Sequence, residues 1–397
     1  MILPPIWIIV LLVGLPQLSE TIYTPSLPEI AKDLDASPSS VEHTLSIFLL
    51  GLALGAVFWG TLSDRIGRKP CILLGIIIFI CGCIGCYFAK SIEILLIARL
   101  IQALGCSIGS VLGQAISRDA FSGSNLGKVF SSIGVALSLF PAIGPTIGGF
   151  IAEKTHWSTI FLVMISFGIL LIIITIYKLP ETLDKTKRQK HHVLKVAKSL
   201  VYDKRVILYG IIIGCTNGIS FSYFSEGSFF MMDMLGMKPS HYGMSFILSA
   251  SATMIGGMIS GRLQHLLSAK KIMELGMLIN LTANSIFALI IVINYYFSMI
   301  NNQFTIYITL LMRIISMLGI AITIINSLAL SLVDYRYCIG TASSLFSLFY
   351  YLLISFFTFL IGYLHNGTLL VMPLYFFVLS VGIFICSRIL GEDKKNY

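Results

Sequence analysis

Twelve long apolar segments constrain this chain more than any other feature of its sequence. Each is close to the roughly 20 residues that an α-helix needs to cross a hydrocarbon core about 30 Å thick, in a chain that is 56% hydrophobic and 11% charged. The segments are continuous and lack the alternating pattern of membrane strands. We therefore predict an all-α integral membrane protein whose twelve transmembrane helices cover residues 4–24, 41–62, 71–89, 93–117, 129–152, 157–178, 206–232, 242–264, 271–296, 304–332, 339–364 and 369–390.

One long polar connection divides these segments six and six. It covers residues 180–205 and is rich in Lys and Arg, so we predict an N-terminal six-helix bundle over 1–179, a linker over 180–205 and a C-terminal six-helix bundle over 206–397. Basic loops mark the cytoplasmic side of a membrane protein. With the linker on that side, 21 of the 27 Lys and Arg share it. Both termini are then cytoplasmic, and the net charge of +9 indicates loops facing anionic lipid rather than nucleic acid.

The two halves also resemble each other in sequence, which predicts pseudo-symmetric bundles. Arg99–Gly105 in the fourth segment reads RLIQALG, and Arg313–Gly319 in the tenth reads RIISMLG. Ser19-Glu20 in the first segment matches Ser225-Glu226 in the seventh. Repeated halves around a site near the bilayer midplane are typical of secondary transporters.

Ionisable residues inside membrane spans mark ion or substrate paths by default, because a buried charge is costly there. Glu20 and Glu226 are candidate proton carriers, although each could simply reach water near the outer end of its helix. Arg99 and Gln102 lie one helical turn apart and share a face. Arg99 requires an anionic or hydrogen-bonding partner, and it could instead be tied to backbone carbonyls.

Together with nearby polar side chains, these residues form the predicted site for proton coupling and substrate. We expect proton and substrate to compete for a central cavity that contains both glutamates. No catalytic group, metal site or cofactor is predicted. The candidate residues are Glu20, Tyr23, Arg99, Gln102, Asn217, Tyr223 and Glu226.

A dense charged turn separates the second and third segments, where the chain reads GTLSDRIGRK. Such a run cannot lie in lipid, so it predicts a tight cytoplasmic loop. Its acid and bases can form a network across neighbouring helix ends that biases a two-state equilibrium, although an exposed pair contributes only about 0–1 kcal/mol. The candidate gating residues are Gly60, Asp64, Arg65, Gly67, Arg68 and Lys69.

The fifth segment combines small residues with proline. Glycines let helices approach closely, and prolines remove backbone donors and bend a helix. We predict a closely packed, pliable helix that carries no chemistry of its own. Its candidate residues are Pro141, Gly144, Pro145, Gly148 and Gly149.

These motifs resemble those of the major facilitator superfamily. The charged turn is similar to that family's loop pattern G-x-L-x-D-R-x-G-R-K, the Arg99 run to its fourth-helix pattern R-x-x-Q-A-x-G, and the fifth segment to its antiporter motif. The runs Tyr23–Pro28, Ser117–Asp119 and Gly340–Leu345 resemble the Bcr/CflA drug-resistance branch. One position departs from that branch, because Thr21 stands where the branch carries an aspartate, and the acid is Glu20.

The resemblance implies a twelve-helix, proton-coupled exporter of drugs or small metabolites that works by alternating access. Its partners would be a small-molecule substrate, protons and the lipid bilayer, with the proton gradient as energy source and no cofactor. It would be a monomer in a bacterial cytoplasmic membrane. Proton-coupled uptake of a nutrient, siderophore or metabolite is the alternative. An intramembrane enzyme or sensor is remote, since the chain lacks an HExxH motif and an appended signalling domain.

Overall fold

The structure, a computed structural model, is all-α and describes residues 3–183 and 193–391. Twelve of its helices are long and apolar enough to cross a membrane within those residues, which confirms the predicted number of spans. The helices are α1 Ile6–Thr21, α2 Leu27–Asp33, α3 Pro38–Ile66, α4 Arg68–Tyr87, α5 Ile92–Ala120, α6 Gly123–Lys154, α7 Thr159–Lys178, α8 Val193–Tyr202, α9 Lys204–Ser228, α10 Pro239–Leu263, α11 Ala269–Phe297, α12 Asn302–Ser331, α13 Ile339–Leu364 and α14 Val371–Ile389.

The first span is longer than predicted. The α-helix stops at Thr21, a 3-10 turn follows at Thr24–Ser26, and α2 then continues the span to Asp33. Proline lacks a backbone donor, so Pro25 and Pro28 interrupt the ladder of hydrogen bonds at this point without ending the span.

The first of two compact units contains α1–α7 and the first residues of α10, through Phe246. Helix α5 packs against α1, α3 and α4, while α6 packs against α1 and α7 packs against α4. Small residues make these contacts close. A Cβ atom at Gly82 would collide with the backbone of Gln102, and one at Gly105 would collide with the backbone of Phe79.

The second unit contains α8, α9, the rest of α10 and α11–α14. Helix α9 packs against α12, α13 and α14, while α11 packs against α12 and α14. Helices α9, α11, α12, α13 and α14 therefore repeat the contacts that α1, α4, α5, α6 and α7 make in the first unit, as the repeated sequences indicate.

The predicted bundle boundaries at 179 and 206 stay a prediction. Within the predicted linker, residues 184–192 lie outside the described residues, and α8 covers the part that follows. Helix α8 packs against α9 and α13.

Candidate functional site

The centre of the predicted site in the first unit is a fully buried arginine. Arg99 Nη1 donates to Gln102 Oε1 at 2.5 Å and to the backbone oxygen of Ser19 at 3.2 Å. Its guanidinium carbon lies 4.0 Å from the ring centroid of Tyr23 and 4.0 Å from that of Phe48. Arg99 thus has a side-chain hydrogen-bonding partner and a backbone carbonyl, the two alternatives that the sequence left open. It also contacts two aromatic faces.

Glu20 is buried beside this arginine, with only 1% of its surface exposed. The alternative that Glu20 simply reaches water is therefore wrong. Arg99 acts on it electrostatically, and Oε2 has no hydrogen-bond partner among the described residues. A buried carboxylate needs either a neighbouring cation or a proton to compensate for lost hydration, so the site can hold Glu20 in either form.

The remaining candidates of the first unit lie around the same arginine. The hydroxyls of Tyr23 and Thr44 are 3.0 Å apart, and Gln102 Nε2 donates to Cys83 Sγ at 3.1 Å. Sequence reasoning missed Thr44 and Phe48 beside this arginine, and it also missed the fully buried Glu42 elsewhere on the same helix, α3. Glu42 carried a signal that could have found it, because it is an acid at the start of a long apolar run.

A second buried arginine in the second unit repeats this arrangement. The guanidinium carbon of Arg313 lies 4.4 Å from the ring centroid of Tyr223, and its Nη2 donates to the backbone oxygen of Ser220 at 3.5 Å. Arg313 on α12 therefore meets α9 as Arg99 on α5 meets α1.

This geometry corrects one predicted match between the halves. The arginine contacts pair Tyr23 with Tyr223 and Ser19 with Ser220, so pairing Ser19-Glu20 with Ser225-Glu226 is wrong. The α-helix of the first span ends before Tyr23, whereas α9 continues past Tyr223. A match by residue type therefore selected the wrong helical turn, and Glu226 is one turn beyond the position that corresponds to Tyr23.

The second unit also holds a neutral polar network that sequence reasoning missed. Asn284 Nδ2 donates to Asn280 Oδ1 at 2.5 Å and to Ser380 Oγ at 2.8 Å, and Ser316 Oγ donates to Asn280 Oδ1 at 3.0 Å. Ser316 occupies the position in its repeat that Gln102 occupies in the first unit. Beside the network is a cavity of about 10 Å³, room for a water molecule, lined by Tyr223, Asn284, Phe287, Thr309, Arg313 and Phe376.

Glu226 has a partner that the sequence did not indicate. Its Oε2 lies 2.8 Å from Nδ1 of His365, which directly follows α13. Glu226 is fully buried, so the alternative of a carboxylate reaching outward to water is wrong. Asn217, the third candidate on α9 beside Tyr223 and Glu226, is half-buried and donates to the backbone oxygen of Ile213 in its own helix at 3.0 Å.

The predicted loop is only one residue long, because α3 continues to Ile66 and α4 begins at Arg68, with Gly67 between them. The charged turn forms a network centred on Arg68. Its Nη1 donates to Asp64 Oδ1 at 2.7 Å and to Ser63 Oγ at 2.8 Å, and its Nε donates to Asp119 Oδ2 at 2.9 Å. Asp119 lies near the end of α5, so Arg68 joins α3, α4 and α5. Gly60 is half-buried and Arg65 is exposed on the last turns of α3.

A glutamate beyond α7 completes this network. Glu181 accepts from the backbone N–H of Arg68 at 2.9 Å and of Lys69 at 3.1 Å, so it caps the start of α4. Gly67 precedes that cap at φ +108°, a conformation that favours glycine. Lys69 Nζ donates to the backbone oxygen of Ile176 at 2.8 Å. The gating role of the turn stays a prediction.

The glycines of α6 bring its backbone against the first span. A Cβ atom at Gly144 would meet the side chain of Thr21, and one at Gly148 would meet the backbone oxygen of Ile22. Pro141 and Pro145 lie inside this continuous helix. Nearer its end, a Cβ atom at Gly149 would meet the backbone at the start of α10.

Comparison with known proteins gives these features a context. The sequence profile of the Major Facilitator Superfamily matches residues 9–358. An uncharacterized transporter of Rickettsia felis is 35% identical over 99% of this chain and 98% of its own. The bicyclomycin resistance protein homolog of Haemophilus influenzae is 31% identical over 67% of each chain, and multidrug resistance protein D of Escherichia coli is 27% identical over 64% of each.

Solved structures show the same fold at low sequence identity. A bacterial homolog of the human lysosomal transporter Spinster superimposes with a TM-score of 0.78, at 16% identity over 98% of each chain. The D-xylose-proton symporter superimposes with a TM-score of 0.77, at 12% identity over 98% of this chain and 96% of its own.

Proposed function

Since this chain belongs to the major facilitator superfamily, and its relatives place it in the drug:proton antiporter branch, we propose that it exports drugs or small metabolites in exchange for protons. The family consists of multi-pass membrane transporters of small molecules, not enzymes. Export, proton coupling, alternating access, a bacterial cytoplasmic membrane and cytoplasmic termini are the parts that we propose.

The observation that carries the proposal is the buried pair of Glu20 and Arg99. The two ring contacts of Arg99 and its hydrogen bonds to Gln102 and the backbone of Ser19 do not involve the carboxylate of Glu20. Glu20 can therefore exchange a proton without leaving an unsupported cation behind. We expect a cationic or neutral apolar substrate to favour ionised Glu20, and a proton from outside to displace that substrate.

The driving force is adequate for this exchange. Moving one charge through a potential of about 150 mV releases about 3.5 kcal/mol. That free energy sustains a concentration gradient of a few hundredfold, because each 1.4 kcal/mol corresponds to a factor of ten. One proton exchanged for one neutral substrate is therefore sufficient for export.

Glu20→Gln tests the coupling. In proteoliposomes with an imposed pH gradient, we expect the wild type to accumulate the fluorescent cation ethidium and Glu20→Gln to lose gradient-driven accumulation. Ethidium exchange without a gradient should persist in the variant, because the amide keeps the shape of the side chain. Glu93→Gln, at an exposed acid on α5, is the matched control.

Full gradient-driven accumulation by Glu20→Gln would contradict the assignment of that residue. If the wild type accumulates none, a screen of drugs, amino acids and siderophores at two pH values identifies the substrate class by thermal shift. Growth of cells on a sole nutrient, with and without the gene, distinguishes uptake from drug tolerance.

A further inference from the structure

In the pair formed by Glu226 and His365, the glutamate is fully buried and the histidine is partly exposed to solvent. Glu226 is fully buried on α9, and its Oε1 has no hydrogen-bond partner among the described residues. The side chain of His365 is 10% exposed, and the chain continues from it into the exposed residues Asn366 and Gly367. In the predicted topology this connection between α13 and α14 is on the outer side of the membrane.

The histidine packs against a buried ring and precedes a hydrogen-bonded turn. Its ring centroid lies 5.5 Å from that of Phe229, which is itself buried. The following turn is fixed because Asn366 Oδ1 accepts from the backbone N–H of Thr368 at 3.0 Å and from its hydroxyl at 2.7 Å. In this position Nδ1 of His365 lies 2.8 Å from Oε2 of Glu226.

The charges around the ring favour its protonated form. Burial lowers the pKa of His365, but the hydrogen bond and charge of Glu226, together with the charge of Asp233, raise the pKa by more, so it lies above its ordinary value. Asp233 lies in the π-helical turn Phe229–Met234 that extends α9. Within this unit, these two acids are the charged groups that act on the imidazole.

We propose that His365 and Glu226 form a proton relay, in which the histidine takes a proton from the outer aqueous phase and passes one to the buried carboxylate. A proton binds Nε2 of the neutral ring, the proton on Nδ1 moves to Oε2 of Glu226, and the ring returns to its neutral form with its hydrogen on Nε2. One proton enters and none is lost. The proposal rests on proton-coupled export and adds the group that collects the proton.

The relay predicts how transport depends on outer pH. Removing the charge of Glu226 lowers the pKa of His365, so a given level of protonation requires a more acidic outer solution. We expect Glu226→Gln to move the titration of His365 down by about one pH unit or more, the size of an ordinary charge-pair effect. Isotope-labelled histidine in the full-length protein, with the signal assigned from His365→Gln, measures this shift by NMR.

The transport arm uses ethidium in proteoliposomes over a range of outer pH. At neutral outer pH, we expect His365→Gln to reduce the gradient-driven rate about tenfold, as for one pH unit of lost protonation, with recovery at acidic outer pH. Exchange without a gradient should stay within about twofold of the wild type, since no proton moves in that assay. His241→Gln, at an exposed histidine, is the matched control and should keep the wild-type profile.

Three outcomes decide the matter. An unchanged His365 titration in Glu226→Gln, or a wild-type pH profile in His365→Gln, overturns the relay while leaving export intact. A wild type without gradient-driven transport of ethidium or of any compound found in the substrate screen overturns the proposed coupling instead, and with it the relay's role in transport. A shifted titration of His365 in Glu226→Gln, together with loss of transport at neutral outer pH in His365→Gln, supports both the relay and the proton coupling.

Discussion

The rings of Tyr23 and Phe48 contact Arg99. Their contribution to the stability of the protein can be predicted from this geometry. Phe48 is fully buried, and its ring centroid is 4.0 Å from the guanidinium carbon. A cation over a desolvated ring is worth about 2 kcal/mol. Replacing the ring by leucine also changes packing, and a hydrophobic swap of similar volume usually costs less than about 1.5 kcal/mol. We therefore expect Phe48→Leu to lower the free energy of unfolding by about 3 kcal/mol.

Phe79 on α4 provides the matched control. It is equally buried, and no cation lies over its ring among the described residues. Phe79→Leu should therefore show the packing cost alone, about 1 kcal/mol. Denaturant titration of the purified protein in mixed micelles measures both variants against the wild type.

A double-mutant cycle isolates the ring contact from packing. In an Arg99→Gln background the cation is absent, so Phe48→Leu should cost no more than Phe79→Leu. An equal cost of Phe48→Leu in both backgrounds would refute the reasoning, because the ring would then stabilise the protein without involving the arginine.

Two further predictions concern the packing of the first unit. Asp119→Asn should destabilise the protein by about 1.5 kcal/mol, since it weakens a partly buried, charge-assisted hydrogen bond to Arg68. Asp64→Asn should destabilise the protein less, because Asp64 is 47% exposed. Limited proteolysis at the charged turn compares the two variants. Gly148→Leu should abolish ethidium transport, because its side chain would overlap the backbone of the first span. Gly134→Leu on the same helix should leave transport intact, since nothing lies within 4 Å of that position. Equal transport by both variants would show that the close approach at Gly148 is dispensable.

Much of this architecture could be predicted because the relevant signals are local. Continuous apolar runs determine the number of spans, since lipid leaves the backbone no alternative to intrahelical hydrogen bonds. The contact of Arg99 with Gln102 follows from a spacing of three residues on a helix. The close approach at Gly144 and Gly148 follows from their missing side chains.

The partners of the predicted residues could not be found in the same way. His365 is 139 residues from Glu226 in the chain, and Glu181 is 113 from Arg68. Only helix packing brings such pairs together, and no periodicity within a segment reports it. The wrong match of Glu20 with Glu226 has a similar origin, because residue type alone does not indicate where the first helix ends.

The network around Arg68 and Glu181 has a consequence for where a protease can cut the chain. Every partner that the structure shows for these two side chains lies between Ser63 and Leu183. The contacts of Asp203 with Arg205 and Tyr335 lie wholly downstream of the connecting segment. A protease cut between Leu183 and Val193 would therefore sever neither set of contacts, and each fragment would keep its own.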